Sequence, residues 1–261
     1  MSKAIEKLRD GGKALEAERR LMNEALKRLG RNLLQSGAES RPLERRGAAR
    51  LIFGLDLTQS REASLAQARI ATAAMFGAIR AIGRIAMKLV YYRGTQECRE
   101  SQWCADAEIL CRSMLGLSCE AGGTQIARLL RRVLAMEETL SGVVFVGDHC
   151  EDNPDELVAL GRRLRDRAIP LFVFHECADH DQRSLEAKPL FRRIAELSGG
   201  VYVEFKPDSG EVLRELLSGV AAFSAAGAKG VERLALPRTT EARDLRGRLL
   251  LGPAGDADKA W

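Results

Sequence analysis

Apolar positions along the chain change their spacing twice. Over about residues 3–35, Leu8, Leu15, Met22 and Leu29 recur every seven residues, and Leu26 and Leu33 fill part of the companion row, which fails at Gly12 and Arg19. That pattern predicts a helical arm, its stripe too interrupted for a self-sufficient coiled coil. SGAESRPLERRG follows as a linker, with Pro42 and Gly47 as breakers. From Arg50 onward, short apolar runs alternate with amphipathic stretches. Strands are predicted over 51–57, 85–92, 142–146, 170–175 and 200–205, with 97–104 pairing beside the second of them as a hairpin. Helices are predicted over 62–83, 106–115, 125–139, 154–167, 188–198 and 209–226. The near-continuous apolar run from Leu51 to Leu57 suits a strand buried on both faces. The fold class is therefore α/β: a doubly wound, mostly parallel sheet covered by helices. After Gly227 the chain mixes Gly, Ala, Pro, Arg and Asp with one apolar patch, Leu249 to Leu251, and reads as a loosely held tail. The organisation expected is a basic helical arm and linker over 1–48, an α/β domain over 49–226 and a tail over 227–261.

Composition adds constraints. With 46% hydrophobic and 30% charged residues among 261, the chain can bury the core of one domain of ordinary size. The net charge of +5 belongs to residues 1–48, which hold twelve Lys and Arg against seven Asp and Glu. Bases and acids interleave there as on a solvated helix, and aromatic residues for base stacking are absent, which argues against nucleic acid as the partner. No run of eighteen apolar residues occurs, and the first residues lack a basic patch followed by an apolar core, so the expectation is a cytoplasmic protein with no membrane role. Six cysteines without a CxxC pair point to reduced, mostly buried thiols, not to disulfides or zinc.

The candidate chemistry starts in LIFGLDLTQS. Asp56, Thr58 and Ser60 occupy every second position, which in an extended chain sends an acid and two hydroxyls to one side. CEAGGTQIARLL places Thr124 after two glycines and directly before a helix, and GVVFVGDHCED places Asp148 just past the fourth strand. All three elements should open on the carboxyl edge of the sheet, where ligands of doubly wound folds sit. Ser60 alone also suits the N-cap of a helix opening near Glu62, a reading that leaves Thr124 and Asp148 unexplained. A P-loop, a GxSxG elbow and a GxGxxG run are all absent from the sequence.

These residues carry a resemblance to von Willebrand factor A (VWA) domains with a metal-ion-dependent adhesion site (MIDAS). That family's signature is Asp-x-Ser-x-Ser after the first strand, a Thr in a later loop and an Asp after the fourth strand. The positions here are Asp56, Thr58 and Ser60, then Thr124, then Asp148. PLFRRIAELSGGVYVEF also resembles the family's last helix and strand, and the resemblance covers about residues 49–226. It implies a Rossmann-like fold and a site for Mg2+ or Mn2+ made of those five oxygen donors. A carboxylate of a partner protein would complete the ion's shell. It further implies an adaptor and not an enzyme, with AAA+ ATPase complexes as the favoured partner class by analogy with intracellular bacterial domains of this kind. Thr58 departs from the usual Ser while keeping the hydroxyl, and Gly147 and His149 flank Asp148 where the family often has Thr and Gly. Two rival readings use the same site: a metal-dependent hydrolase with His149 or His175 as base, and a scaffold whose site is degenerate. HECADHD, residues 175–181, adds His175, Glu176, His180 and Asp181 to the groups expected near that edge.

Overall fold

The computed structural model describes residues 48–251 except 63, 64, 66, 67, 69, 70, 73–83, 106–108, 111–113, 115, 179 and 208. The arm expected over 1–48 lies outside the described residues apart from Ala48, and so do the last ten residues of the expected tail, 252–261. In chain order the elements are β1 (Ala49–Asp56), β2 (Ile85–Arg93), β3 (Glu97–Glu100), α1 (Ile126–Leu134), β4 (Gly142–Gly147), α2 (Pro154–Asp166), β5 (Leu171–Glu176), α3 (Gln182–Ser198), β6 (Tyr202–Phe205), α4 (Gly210–Arg233) and α5 (Thr240–Leu251). A short 3-10 turn, Gln59–Arg61, follows β1.

The six strands form one sheet in the order β3-β2-β1-β4-β5-β6. Every neighbouring pair is parallel except β2 and β3, which form the predicted antiparallel hairpin. Both faces are covered, as the continuous apolar strands require. Leu51, Phe53 and Leu55 of β1 join the core beneath α4 and α5, together with Leu65, Ala68 and Ala71 of the helix that opens after the turn. Ile52 joins the opposite core beneath α1, α2 and α3. Gly54 permits that second packing: a Cβ there would stand 3.2 Å from Leu129 Cδ1 of α1. The strand order reverses between β1 and β4, so a crevice opens beyond their carboxyl ends.

α1 and β3 end five and four residues before their predicted ends, at Leu134 and Glu100, and three further elements differ more. α3 begins at Gln182, six residues before the predicted start, because Asp181 caps it by accepting from the amides of Arg183 and Ser184 at 3.1 and 3.3 Å. Pro189 consequently lies inside the helix instead of near its first turn. α4 breaks where the predicted helix ended, at Ala226 and Gly227, and Gly227 takes the left-handed φ of 61° that favours glycine. A second helical segment then runs on to Arg233. The expected loose tail is corrected over most of its length: α5 is a helix whose Ala242, Leu245 and Leu249 are buried in the core of that face. Among the described residues no helix is long and apolar enough to cross a membrane.

Candidate functional site

Asp56 is the last residue of β1 and Asp148 the first beyond β4, so the two flank the crevice where the strand order reverses. Both side chains are buried, Asp56 at 1% and Asp148 at 7% exposure. The Thr58 amide donates to Asp56 Oδ1 at 2.8 Å, fixing one carboxylate oxygen. Among the described residues, the other oxygen, Asp56 Oδ2, has no hydrogen-bond partner, and neither does Asp148 Oδ1. Buried carboxylate oxygens without partners are costly. The cost appears in the titration: burial first, then the charge of Asp148, pushes the Asp56 pKa up to about 6. Gly147 makes room for the Phe145 ring, from which a Cβ would stand 2.7 Å, while Asp56 Cβ lies at an ordinary contact distance of 3.5 Å. The Tyr92 hydroxyl lies beside Asp56, and burial first, then the charge of Asp56, raises its pKa well above the ordinary value.

The two hydroxyls of the first motif stay together. Thr58 is buried, Ser60 is exposed, and their oxygens are 3.2 Å apart. Ser60 sits inside the 3-10 turn that Thr58 precedes.

Thr124 reaches the same edge by a different route. Its loop is stitched to the end of β1 by the Glu120 amide, which donates to the Leu57 carbonyl at 3.0 Å. The β2–β3 turn holds it too, through Gln125 Nε2, which donates to the Gly94 carbonyl at 3.0 Å. Gly122 passes so close to that turn that a Cβ would stand 1.9 Å from the Gly94 carbonyl oxygen. Thr124 Oγ1 donates to Asp152 Oδ2 at 2.8 Å and accepts from the Glu151 amide at 2.7 Å. Asp152 also accepts from the amides of Ile126 and Ala127, both at 3.0 Å, and so caps α1 from another loop. One carboxylate thus locks the Thr124 loop to the segment that follows Asp148. The Thr124 hydroxyl is bonded to that segment and not to Asp56, Thr58, Ser60 or Asp148.

Sequence reasoning missed Asp152, Arg61 and the placement of Glu176. Arg61 is the next residue after Ser60, fully buried, and its guanidinium contacts the Glu176 carboxylate. Asp152 is the second acid after Asp148 in DHCED, which no local periodicity distinguishes from a helix-capping residue. His175, the last residue of the predicted strand, and Glu176 after it both belong to β5 and are buried. His175 Nε2 stands 3.0 Å from the Asp148 carbonyl oxygen, an acceptor, while Nδ1 stands 2.8 Å from the Tyr202 hydroxyl. A neutral ring with its proton on Nε2 satisfies both, in line with a pKa that burial lowers. His149 Nε2 is paired with Asp181 Oδ2 at 2.5 Å, and its Nδ1 is 3.7 Å from Asp148 Oδ2.

The donor set bears on the expected cation. Among the described residues no group of three or more His, Cys, Asp and Glu side chains is arranged to hold a metal. A zinc-type cage is thus absent from that part of the chain, whereas a hard-cation site built on hydroxyls would bring only two carboxylates together. Asp56 Oδ2 and Asp148 Oδ1, buried, adjacent and without partners, together with the neighbouring Thr58 and Ser60 hydroxyls, fit such an ion. The Thr124 hydroxyl keeps one lone pair after its two hydrogen bonds.

At the level of sequence, no protein-family model and no curated protein matches the chain. Solved structures do. A von Willebrand factor type A structure from Catenulispora acidiphila superimposes with a TM-score of 0.53 at 15% identity, covering 67% of this chain and 43% of that one. An aerotolerance-related membrane protein from Bacteroides fragilis gives 0.51 at 14% identity, over 67% of this chain and 98% of that one. The conserved hypothetical protein BatB from Bacteroides thetaiotaomicron gives 0.51 at 13%, over 65% and 96%. This chain therefore spans less than half of the first of these structures and nearly all of the other two. With its sheet of six mostly parallel strands between two helical layers and these likenesses, the chain has the von Willebrand factor A fold.

Proposed function

We propose that the chain is a protein-interaction module that uses a divalent cation, Mg2+ or Mn2+, to hold an acidic side chain of a partner. Asp56 and Asp148 would bind the ion, and the hydroxyls of Thr58, Ser60 and Thr124 would complete the protein's share of its shell. The observation that carries this reading is the pair of buried, adjacent carboxylates whose Oδ2 and Oδ1 atoms have no hydrogen-bond partner among the described residues. Two negative charges match one divalent ion, and neutral hydroxyls leave it electrophilic enough to accept a carboxylate. Asp152 fixes the Thr124 loop, and the Thr58 amide fixes Asp56, so the donors are held by hydrogen bonds that do not need the ion. Among partner classes, an AAA+ ATPase complex is the one the family resemblance favours.

The hydrolase reading needs a general base beside the cation. His175 is fully buried with both ring nitrogens engaged, and His149 is bound by Asp181. The first observation removes His175 as a base, and the hydrolase reading then rests on His149 alone. Calorimetric titration with Mn2+ and Mg2+ tests the proposal: wild type should show saturable binding and Asp148→Ala none. Proteins retained by wild type in Mg2+ should be released by chelator and not captured by Asp148→Ala. A wild-type protein that gives no heat with either ion would leave the scaffold reading in its place.

A further inference from the structure

Next to the two acids the chain supplies a cation of its own. Arg61 is 2% exposed, and its guanidinium contacts the carboxylate of Glu176, itself 6% exposed. Arg61 follows β1 and Glu176 ends β5, and β4 lies between those strands in the sheet. The ion pair therefore straddles the end of β4, from which Asp148 emerges. A guanidinium is charged at any physiological pH, and its place across the end of β4 sets it beside both candidate ligands. A buried ion pair is a poor stabiliser compared with an apolar pair of the same volume, so its position asks for another reason.

We infer that Arg61 and Glu176 set the electrostatic balance of the candidate cation site. Arg61 holds Asp56 and Asp148 together before a divalent ion arrives, and Glu176 cancels enough of the Arg61 charge for that ion to enter. The inference rests on the cation reading above and adds a positioning pair to it. By formal charge, the three carboxylates of Asp56, Asp148 and Glu176 exceed the one guanidinium of Arg61 by two, which matches a divalent ion. Removing Glu176 leaves the guanidinium opposing the ion, and removing Arg61 leaves an extra acid attracting it. The two substitutions must therefore shift affinity in opposite directions, which a purely structural prop would not do.

The test measures Mn2+ affinity by electron paramagnetic resonance of the free ion, together with melting curves in chelator. Glu176→Gln should weaken Mn2+ binding by about tenfold or more, and Arg61→Met should tighten it by a similar factor. Arg61→Lys, which keeps the charge, and the double variant Arg61→Met with Glu176→Gln should stay within about threefold of wild type. Arg61→Met should also lose more thermal stability in chelator than in saturating Mn2+, because its acids then lack any counter-charge. Should Arg61→Met fail to fold, Glu176→Gln and the double variant still decide. Wild-type affinity in Glu176→Gln, or tighter binding, overturns the role of the pair while leaving the cation site standing. No Mn2+ binding by the unmodified protein defeats the cation reading, and this inference with it.

Discussion

A buried aspartate facing a second buried aspartate makes folding depend on pH. The Asp56 pKa, ordinarily 3.8, is pushed up to about 6 in the folded protein by burial and by Asp148. A raised folded-state value means that the native state binds the proton more tightly than the unfolded chain. The resulting stabilisation is fully present below 3.8 and is lost as pH rises through about 6. Without metal, wild type should therefore gain about 2 kcal/mol relative to Asp56→Asn between about pH 7 and pH 4. Urea denaturation in chelator across that range measures the difference. Glu215, which burial raises but the amides of Arg238 and Thr239 pull down further, titrates with the opposite sign in both proteins and cancels. The alternation of Asp56, Thr58 and Ser60 made the first donors legible in the sequence, because a strand converts spacing into a shared side. Arg61 and Asp152 were not legible: Glu176 stands more than a hundred residues from Arg61, and Asp152 meets Thr124 from a separate loop.

The loop that carries Thr124 is held by close backbone contact and not by a core of its own. Gly122 lies against the β2–β3 turn, where any Cβ would stand within 2.8 Å of three Gly94 backbone atoms. Gly122→Ala must push the loop away, at a cost of about 1–3 kcal/mol. It should also weaken Mn2+ binding, since Thr124 follows two residues later, and Mn2+ calorimetry beside urea denaturation reads both effects. The strands were the most legible elements: Gly142–Gly147 and Leu171–Glu176 each lie within one or two residues of the apolar runs that predicted them. α3 was cut short because its first turns carry little apolar periodicity and its real start depends on the Asp181 cap. α5 was missed although Ala242, Leu245 and Leu249 follow a helical stripe, because so narrow a stripe among Arg, Gly and Asp resembles a polar tail.

α5 also decides how far the cooperative unit extends. Its Leu245 and Leu249 are buried in the same cluster as Phe53 and Leu55 of β1, and Arg248 donates to the Tyr202 carbonyl of β6 at 3.4 Å. Glu215 of α4 ties down its entry by accepting from the amides of Arg238 and Thr239, both at 3.0 Å, and from Thr239 Oγ1 at 2.7 Å. These contacts make α5 a layer of the domain and not an appendage, which sets an expectation for the far side of the sheet. Trp103 packs against the opposite core and donates to Glu138 at 2.8 Å, so its fluorescence reports unfolding on that side. Leu245→Ala empties a site at 1% exposure and should cost about 2–5 kcal/mol. In a background where Trp261→Phe leaves Trp103 as the sole tryptophan, the loss should move the fluorescence midpoint and the circular-dichroism midpoint together. A Trp103 midpoint that stays put while ellipticity is lost early would detach α5 from the cooperative core. In that case the sheet and its crevice would fold as a unit without α5.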